Sequence, residues 1–486
     1  MKKTKIVATL GLVSDSKEVL KSLIENGMNV ARLNFSHGSY EWHGNVIDIL
    51  RELSLEMNVS VGILADLQGP RIRTVVTDGV EIKTGEHMLF SDIAKSPNFQ
   101  FPISNFQSIS NEQISNDKKI LLDVENIVDD VEVGNEILIE DGIMKVVVKE
   151  KDQGVLLCEV IDGGIVKNHK GVNIPDAKLQ ISPITEKDEK DLAFVLSKEV
   201  DFVAMSFVSS GKNIEDLRGK MKTILGREDN LPQIIAKIER KEAIKNLDDI
   251  IEYTDAVMVA RGDLGIEIEG TKVAVLQKEI IKKSLSAMKP VIVATQMLNS
   301  MIENPRPTRA EVSDVTNAVV DHADAVMLSG ESASGKYPLD SVRTMKEIIE
   351  NTEASIFDDV KHPIALDGYG DFKALIKSAY DLAKHSSAKA IVLASVSGFT
   401  ARLMSHFRPE QELYVVTNNK KTYNQLALVW GANAFYTEEG ELIKAIENMI
   451  DDVKGRELLK SGERVIMVLG MVPGGGKMQL VGVKEV

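Results

Sequence analysis

The sequence predicts an α/β protein: a TIM (β/α)8 barrel interrupted by a small β domain and followed by a C-terminal three-layer α/β domain. Three observations predict it. Eight short apolar runs are each followed by a helical pattern. Between the third and fourth runs the texture turns to short strands and glycine-containing turns. Almost every run ends in a polar residue, as catalytic groups do at the C-terminal strand ends of such barrels.

Lys5–Thr9, Val30–Asn34 and residues 61–66 read as strands, separated by helical patterns at 16–26, stopped by Gly27, and at 40–57. After Asp66, Gly69 and Pro70 break the pattern. Residues 71–170 then carry strand-like segments such as Glu136–Ile139 and 145–148, punctuated by the pairs Asp78 with Gly79, Asp141 with Gly142, and Gly163 with Gly164. From Glu186 the alternation resumes, with strands near Phe202–Met205, 234–238, Ala256–Ala260, Val291–Ala294 and Ala325–Leu328. Three strands before the insertion and five after it make eight. The expected division is a barrel at 1–70 and 171–357, an inserted domain at 71–170 and a C-terminal domain at 358–486. After a helix at 339–356, residues 361–369 read as a linker, and the last unit shows strands near Ala390–Ala394, 413–416 and Arg464–Leu469.

The chain is organised around residues 257–267, where an apolar run stops at Arg261, Gly262, Asp263, Leu264 and Gly265. Ala256–Ala260 lacks alternation, as in a parallel strand covered on both faces. The two glycines read as a turn that lets the backbone approach a ligand. Lys237 and Glu239 end the preceding strand and share one face, because strand side chains repeat every two residues. Two carboxylates, Glu239 and Asp263, and one lysine therefore converge on adjacent strand ends. Hard oxygen ligands with room for substrate oxygens suit Mg²⁺, and a nearby ammonium suits a phosphorylated or enolate-like anion. The alternative is a surface ion-pair cluster. Against it, Asn34, Ser36, Asp66, Ser206, Thr295 and Glu331 also fall at strand ends, a phasing that random surface charge would not produce.

The 486-residue chain carries a net charge of -15, which argues against a nucleic-acid partner. Cys158 is the only cysteine, which excludes an intramolecular disulfide and fits a reducing cytosol. Lys2 and Lys3 ahead of an apolar stretch resemble a signal peptide, but the run is short, no small-residue cleavage site follows, and it reads as a first strand. No apolar stretch is long enough for a membrane helix. Residues 330–337 (GESASGKY) nearly match a P-loop, except that Tyr337 stands where a metal-binding hydroxyl belongs. Ser395, Ser397, Gly398 and Thr400, in SVSGFT, suit either a phosphate at a helix N-terminus or an ordinary cap. Residues 473–477 (PGGGK) read as a flexible loop. His37, in NFSHG, is a ligand, a base or a structural histidine.

Together, NVARLNFSHG (29–38), DLQGPRIRT (66–74), KGVNIP (170–175), IIAKIE (234–239), MVARGDLGIE (258–267), VIVATQMLNSM (291–301) and NPRPTRAEVSDVTNAV (304–319) resemble the pyruvate kinase family, over nearly the whole chain. The resemblance implies a barrel split by a β-barrel lid, a C-terminal domain holding effector and subunit contacts, and a cytoplasmic homotetramer. It implies transfer of phosphate from phosphoenolpyruvate to ADP. By the same resemblance, Glu239 and Asp263 hold Mg²⁺ or Mn²⁺, and Lys237 stabilises the transferring phosphoryl group and the enolate. Arg32 holds the substrate phosphate, while the backbone of Gly262 and Asp263 with Thr295 holds the carboxylate, Thr295 also lying on the proton route to the enolate. Asn34, Ser36, Asp66 and Leu67 match the monovalent-cation site. Asn34, His37, Arg73, Lys170 and Asp141 face the nucleotide, and Ser395, Ser397, Gly398 and Thr400 are effector candidates.

Several positions depart from the family pattern. Glu269 replaces a proline, Ser209 and Ser210 replace a basic pair, Ser334 replaces a lysine, Leu12 replaces a proline, and Phe399 stands at a commonly basic effector position. Arg71 stands where potassium-dependent relatives carry a glutamate, so K⁺ is not expected to be required. Two other readings share some of these features: a metabolite-binding relative with little or no catalysis, and a Mg²⁺-dependent barrel lyase acting on pyruvate-like enolates. The intact Lys237 favours catalysis, and a lyase leaves the inserted domain and the C-terminal domain unexplained.

Overall fold

A computed structural model describes residues 2–92, 119–152, 154–177, 179, 181–358, 370–469 and 480–486. Eight parallel strands close a barrel: β1 (Lys5–Thr9), β2 (Val30–Asn34), β3 (Gly62–Asp66), β4 (Phe202–Met205), β5 (Gln233–Ile238), β6 (Ala256–Ala260), β7 (Val291–Ala294) and β8 (Ala325–Leu328). Each strand pairs with its neighbours in sequence and β8 returns to β1, with Lys5 opposite Ala325. The strands are almost wholly buried because helices cover the outside while Val7, Val30, Leu64, Phe202, Ile235, Met258 and Ile292 fill the inside. The helix starts are written locally: Ser16 accepts from the Val19 amide, and Thr185 and Thr308 each form a reciprocal capping box. Such a cap contributes about 1 kcal/mol.

Between β3 and β4 the chain forms a second closed barrel of seven strands, from Ile72–Val75 to Gly171–Asn173. Its last strand falls past residue 170, since Gly171 and Val172 pair with Arg73 and Ile72, and Val172 also pairs with Ile139. Cys158 is buried in its core, and burial pushes the thiol well above the ordinary range. Side-chain contacts that tie this segment to the first barrel include Asn173 Nδ2 donating to Glu267 Oε1 at 3.1 Å and Lys241 Nζ donating to Asp176 Oδ1 at 2.5 Å.

The C-terminal unit holds a five-stranded sheet in the spatial order Ala432–Tyr436, Glu412–Thr417, Ala390–Ala394, Arg464–Leu469, Leu480–Glu485. Helices pack on both faces, over two separate cores. The sequence reading recovers the three central strands and misses the two edges. Edge strands lack the continuous apolar signal: Ala432–Tyr436 is mostly half-buried, and the antiparallel Leu480–Glu485 is largely exposed. The linker read at 361–369 and the PGGGK loop lie outside the described residues. The near-match at 330–337 is a packing corner. Glu331 is buried and accepts from the Leu298 and Ser329 amides, and a Cβ on Gly335 would meet the Glu331 carbonyl at 2.7 Å. Among the described residues, no helix is long and apolar enough to cross a membrane.

Candidate active site

At the C-terminal ends of β2, β3 and β5 a chain of alternating charges runs across the barrel mouth. Arg32, held by Thr9 Oγ1 at 2.9 Å, places its guanidinium 2.6 Å from Asp66 Oδ2. The other Asp66 oxygen lies 3.3 Å from Lys237 Nζ, which in turn sits 2.7 Å from Glu239 Oε1 and donates to Ser206 Oγ at 2.8 Å. The Phe207 amide donates to Glu239 Oε2 at 2.8 Å. The register explains the convergence: Asp66 lies opposite Asn34 on β2 and Ala204 on β4, and Met205, just before Ser206, lies opposite Ala236, just before Lys237.

The electrostatics follow from burial. Lys237 is only 12 % exposed. Desolvation opposes its charge, but Asp66 and Glu239 outweigh that and hold the ammonium above the ordinary lysine range. Burial likewise disfavours the charge on Asp66, and Lys237 and Arg32 outweigh it, leaving that carboxyl below the usual range. Burial pushes Glu239 up; Lys237 opposes the shift and the charge of Asp263 reinforces it.

The second half of the site lies on β6 and β7. The expected turn at 261–265 is a short helix, Arg261–Glu267, so Gly262 and Gly265 are helical residues. Its first residue is anchored by tertiary contacts: Arg261 pairs with Asp314 at 2.7 Å and donates to the Thr295 carbonyl at 2.6 Å. The close backbone approach is present, but to Thr295. The Gly262 amide donates to Thr295 Oγ1 at 2.8 Å, and a Cβ on Gly262 would sit 3.4 Å from that oxygen. Thr295, Gln296 and Phe207 all adopt positive φ, at 67°, 55° and 56°, a costly conformation for residues with a Cβ that recurs at working sites.

Among the described residues no group of three or more His, Cys, Asp or Glu side chains comes together as a metal cage. Glu239 and Asp263 alone still fit a Mg²⁺ site, because this ion commonly takes one or two carboxylates and completes its shell with water and substrate oxygens. The charge of Asp263 adds to burial in pushing the Glu239 carboxyl up, and a cation held by the two would offset that.

Other sequence-predicted residues fall into three groups. Of the monovalent-cation set, Asp66 is spanned by Arg32 and Lys237, Asn34 Oδ1 accepts from the Ser36 amide at 3.1 Å, and the Leu67 carbonyl accepts from Ser206 Oγ at 2.8 Å. Arg71, 40 % exposed, points its guanidinium to within 3.6 Å of Asp263. Of the nucleotide set, Arg73, Lys170 and Asp141 gather at one end of the small barrel. Lys170 pairs with Glu140, whose amide donates to the Gly171 carbonyl, and Asp141 follows at φ 56°. His37 is exposed near the end of β2, and its carbonyl accepts from His43 Nε2. Of the effector candidates, Ser395 and Thr400 are buried, Gly398 adopts φ 75° before the helix Phe399–His406, and Ser397 is exposed.

Sequence reasoning placed Ser206 at a strand end without a role and missed Asp314. The first is a hydroxyl that fixes Lys237; the second is the anchor of Arg261, 53 residues away in sequence. No local pattern signals such a pair.

A closed parallel barrel whose strand ends set a buried ammonium and two guanidinium groups among three carboxylates defines an enzyme that handles a small, highly charged anion. Comparison with known proteins names the chemistry. Residues 1–342 match the pyruvate kinase barrel domain and residues 373–483 the pyruvate kinase alpha/beta domain. A pyruvate kinase from Staphylococcus epidermidis is 40% identical over 98% of this chain and 79% of its own length. One from Clostridium perfringens is 38% identical over 98% and 99%. The crystal structure of a pyruvate kinase from Cryptosporidium parvum superposes with a TM-score of 0.88 at 33% identity, covering 100% of this chain and 96% of that one. This chain belongs to the pyruvate kinase family and is a phosphotransferase.

Proposed function

We propose that the protein transfers the phosphoryl group of phosphoenolpyruvate to ADP, giving pyruvate and ATP, at the mouth of the parallel barrel. The observation that carries this reading is Lys237, a buried ammonium kept charged by Asp66 and Glu239. A fixed positive charge of this kind stabilises negative charge as it develops, which is the main contribution a protein makes to phosphoryl transfer.

In the proposed arrangement Arg32 takes the substrate phosphate, and Thr295 with the Gly262 and Asp263 backbone takes the carboxylate. As an oxygen of the ADP β-phosphate bonds to phosphorus, the bond from phosphorus to the enol oxygen breaks, and Lys237 stabilises both the moving group and the enolate left behind. The enolate carbon then gains a proton from solvent water on the side of Thr295, whose own hydroxyl donates to the Ala294 carbonyl at 2.6 Å. Glu239 and Asp263 would hold Mg²⁺ or Mn²⁺, which supplies bridging and charge neutralisation between the substrates.

Asn34, His37, Arg73, Lys170 and Asp141 would contact the nucleotide, the small barrel closing as a lid that excludes water. Arg71 would stand in for a monovalent cation, a role supported by the oxygens of Asn34, Asp66 and Leu67 being already engaged. Assembly as a homotetramer and residence in the cytoplasm complete the proposal, with effector binding at Ser395, Ser397, Gly398 and Thr400. The test is NADH oxidation in a lactate-dehydrogenase-coupled assay with ADP and Mg²⁺ each present and omitted. Turnover only with both is expected; pyruvate formed without ADP would instead support a lyase, and no turnover a binding protein.

A further inference from the structure

Just beyond β7 the chain holds two consecutive residues, Thr295 and Gln296, in the left-handed region, which a side chain with a Cβ occupies only where neighbouring contacts impose it. One side chain supplies such contacts. Arg261, only 10 % exposed, donates from Nη2 to the Thr295 carbonyl at 2.6 Å and from Nε to the Ala294 carbonyl at 3.3 Å. Its planar fork therefore grips the two peptide units that flank the Thr295 Cα. The Thr295 hydroxyl is fixed in the same place, donating to the Ala294 carbonyl at 2.6 Å and accepting from the Gly262 amide at 2.8 Å.

The clamp is itself anchored from a third element. Asp314, on the helix Arg309–Val320, takes the remaining corner of the guanidinium, its two oxygens lying 2.8 Å and 2.7 Å from Nη1. The Gln277 side-chain oxygen also meets Nη1, at the longer distance of 3.3 Å. Among the described residues Asp314 is the only carboxylate paired with Arg261. Without that charge the guanidinium would keep its carbonyls but lose the contact that fixes its plane, and a nearly buried cation would be left without a counter-charge.

We propose that Asp314 is a positioning residue for the proton-transfer half of the reaction. It aims Arg261, Arg261 holds the Ala294 and Thr295 carbonyls, and the strained turn so held presents the Thr295 hydroxyl to the enolate carbon. Asp314 acts through Arg261 and touches neither substrate nor metal. The inference rests on the part proposed for Thr295 in protonation.

Deuterium exchange into the methyl group of pyruvate, followed by proton NMR in D₂O with ATP and Mg²⁺, isolates this half of the reaction. A C–H bond breaks, its electron pair passing into the enolate and its proton to water, and a C–D bond forms from D₂O as the carbonyl returns. Asp314→Asn should slow the exchange by roughly 10- to 100-fold, the order that a displacement of about 1 Å costs at a reacting centre, with Asp314→Glu recovering part of the loss. The Mg²⁺ concentration for half-maximal exchange should stay at the wild-type value. In a Thr295→Val background, Asp314→Asn should add little, because residues that act as one unit do not give additive losses. Circular dichroism establishes folding. Should Asp314→Asn fail to fold, Arg261→Lys, which keeps the charge but not the fork, must show the same loss and the same dependence on the Thr295 hydroxyl. Exchange within about twofold of wild type, a raised Mg²⁺ requirement, or an undiminished further loss in the Thr295→Val background would each overturn the assignment. A wild type that exchanges no deuterium would instead refute the proposed function itself.

Discussion

Replacing Lys237 with Met removes the ammonium and keeps an unbranched side chain of comparable length at the centre of the site. In the wild type this charge lies 2.7 Å from Glu239 and 3.3 Å from Asp66. Two losses follow. For folding, Asp66 and Glu239 stay buried with one cation fewer, and breaking a buried pair costs about 3–5 kcal/mol. The lower end applies here, because Asp66 keeps Arg32 and Glu239 keeps the Phe207 amide. For catalysis, a unit charge about 4 Å from the developing charge contributes roughly 4 kcal/mol at an effective dielectric near 20. Removing one preorganised donor elsewhere costs about 2.7–4 kcal/mol. The expected result is a kcat lower by roughly 10²- to 10³-fold, at about 1.4 kcal/mol per factor of ten. Phosphoenolpyruvate affinity, measured by calorimetry, should change far less, since in the proposed arrangement Arg32 and the Gly262–Thr295 pair hold the ground state. The coupled assay at saturating substrates and Mg²⁺, with circular dichroism to establish folding, makes the measurement. A folded variant that keeps kcat within about tenfold of wild type would refute the role given to Lys237.

Asp263→Asn should raise the Mg²⁺ concentration for half-maximal rate by roughly tenfold or more, the order that even an outer-shell loss costs a metal site; an unchanged Mg²⁺ titration removes Asp263 from the ion. The wild type should reach near-full rate without K⁺, with tetramethylammonium holding ionic strength, and Arg71→Glu should create a K⁺ requirement. A wild type inert until K⁺ is added would reverse the reading of Arg71. Lys5 supplies a pH test. Burial pushes its ammonium down to about 8, although Glu353 and Glu412 oppose the shift, and it donates to the Ala432 carbonyl at 2.7 Å. Between pH 8 and about 10.5 the unfolded chain holds the proton that the folded chain has released, so this group makes stability rise with pH in that window. The melting temperature of wild type relative to Lys5→Met should therefore climb from pH 8 to pH 10; a flat difference would show that the group does not titrate this way.

The barrel was legible in the sequence because each of its strands is buried on both faces, and a run such as Ala256–Ala260 must then be apolar throughout. The same logic failed at the edges of the C-terminal sheet, where Ala432–Tyr436 is mostly half-buried and Leu480–Glu485 largely exposed, so neither needs to be apolar throughout. Lys237, Glu239, Asp263 and Thr295 were legible as strand-end residues, since period and position along a strand are properties of the chain alone. What the sequence determined was which residues reach the mouth of the barrel. Which of them touch was decided only when the barrel closed. Asp66 binds Arg32 and Lys237 from strands on either side, Ser206 steadies the lysine, Asp314 anchors Arg261, and the 261–267 segment winds into a helix. These contacts join residues far apart in the chain, and their energies depend on a desolvation that exists only inside the folded barrel.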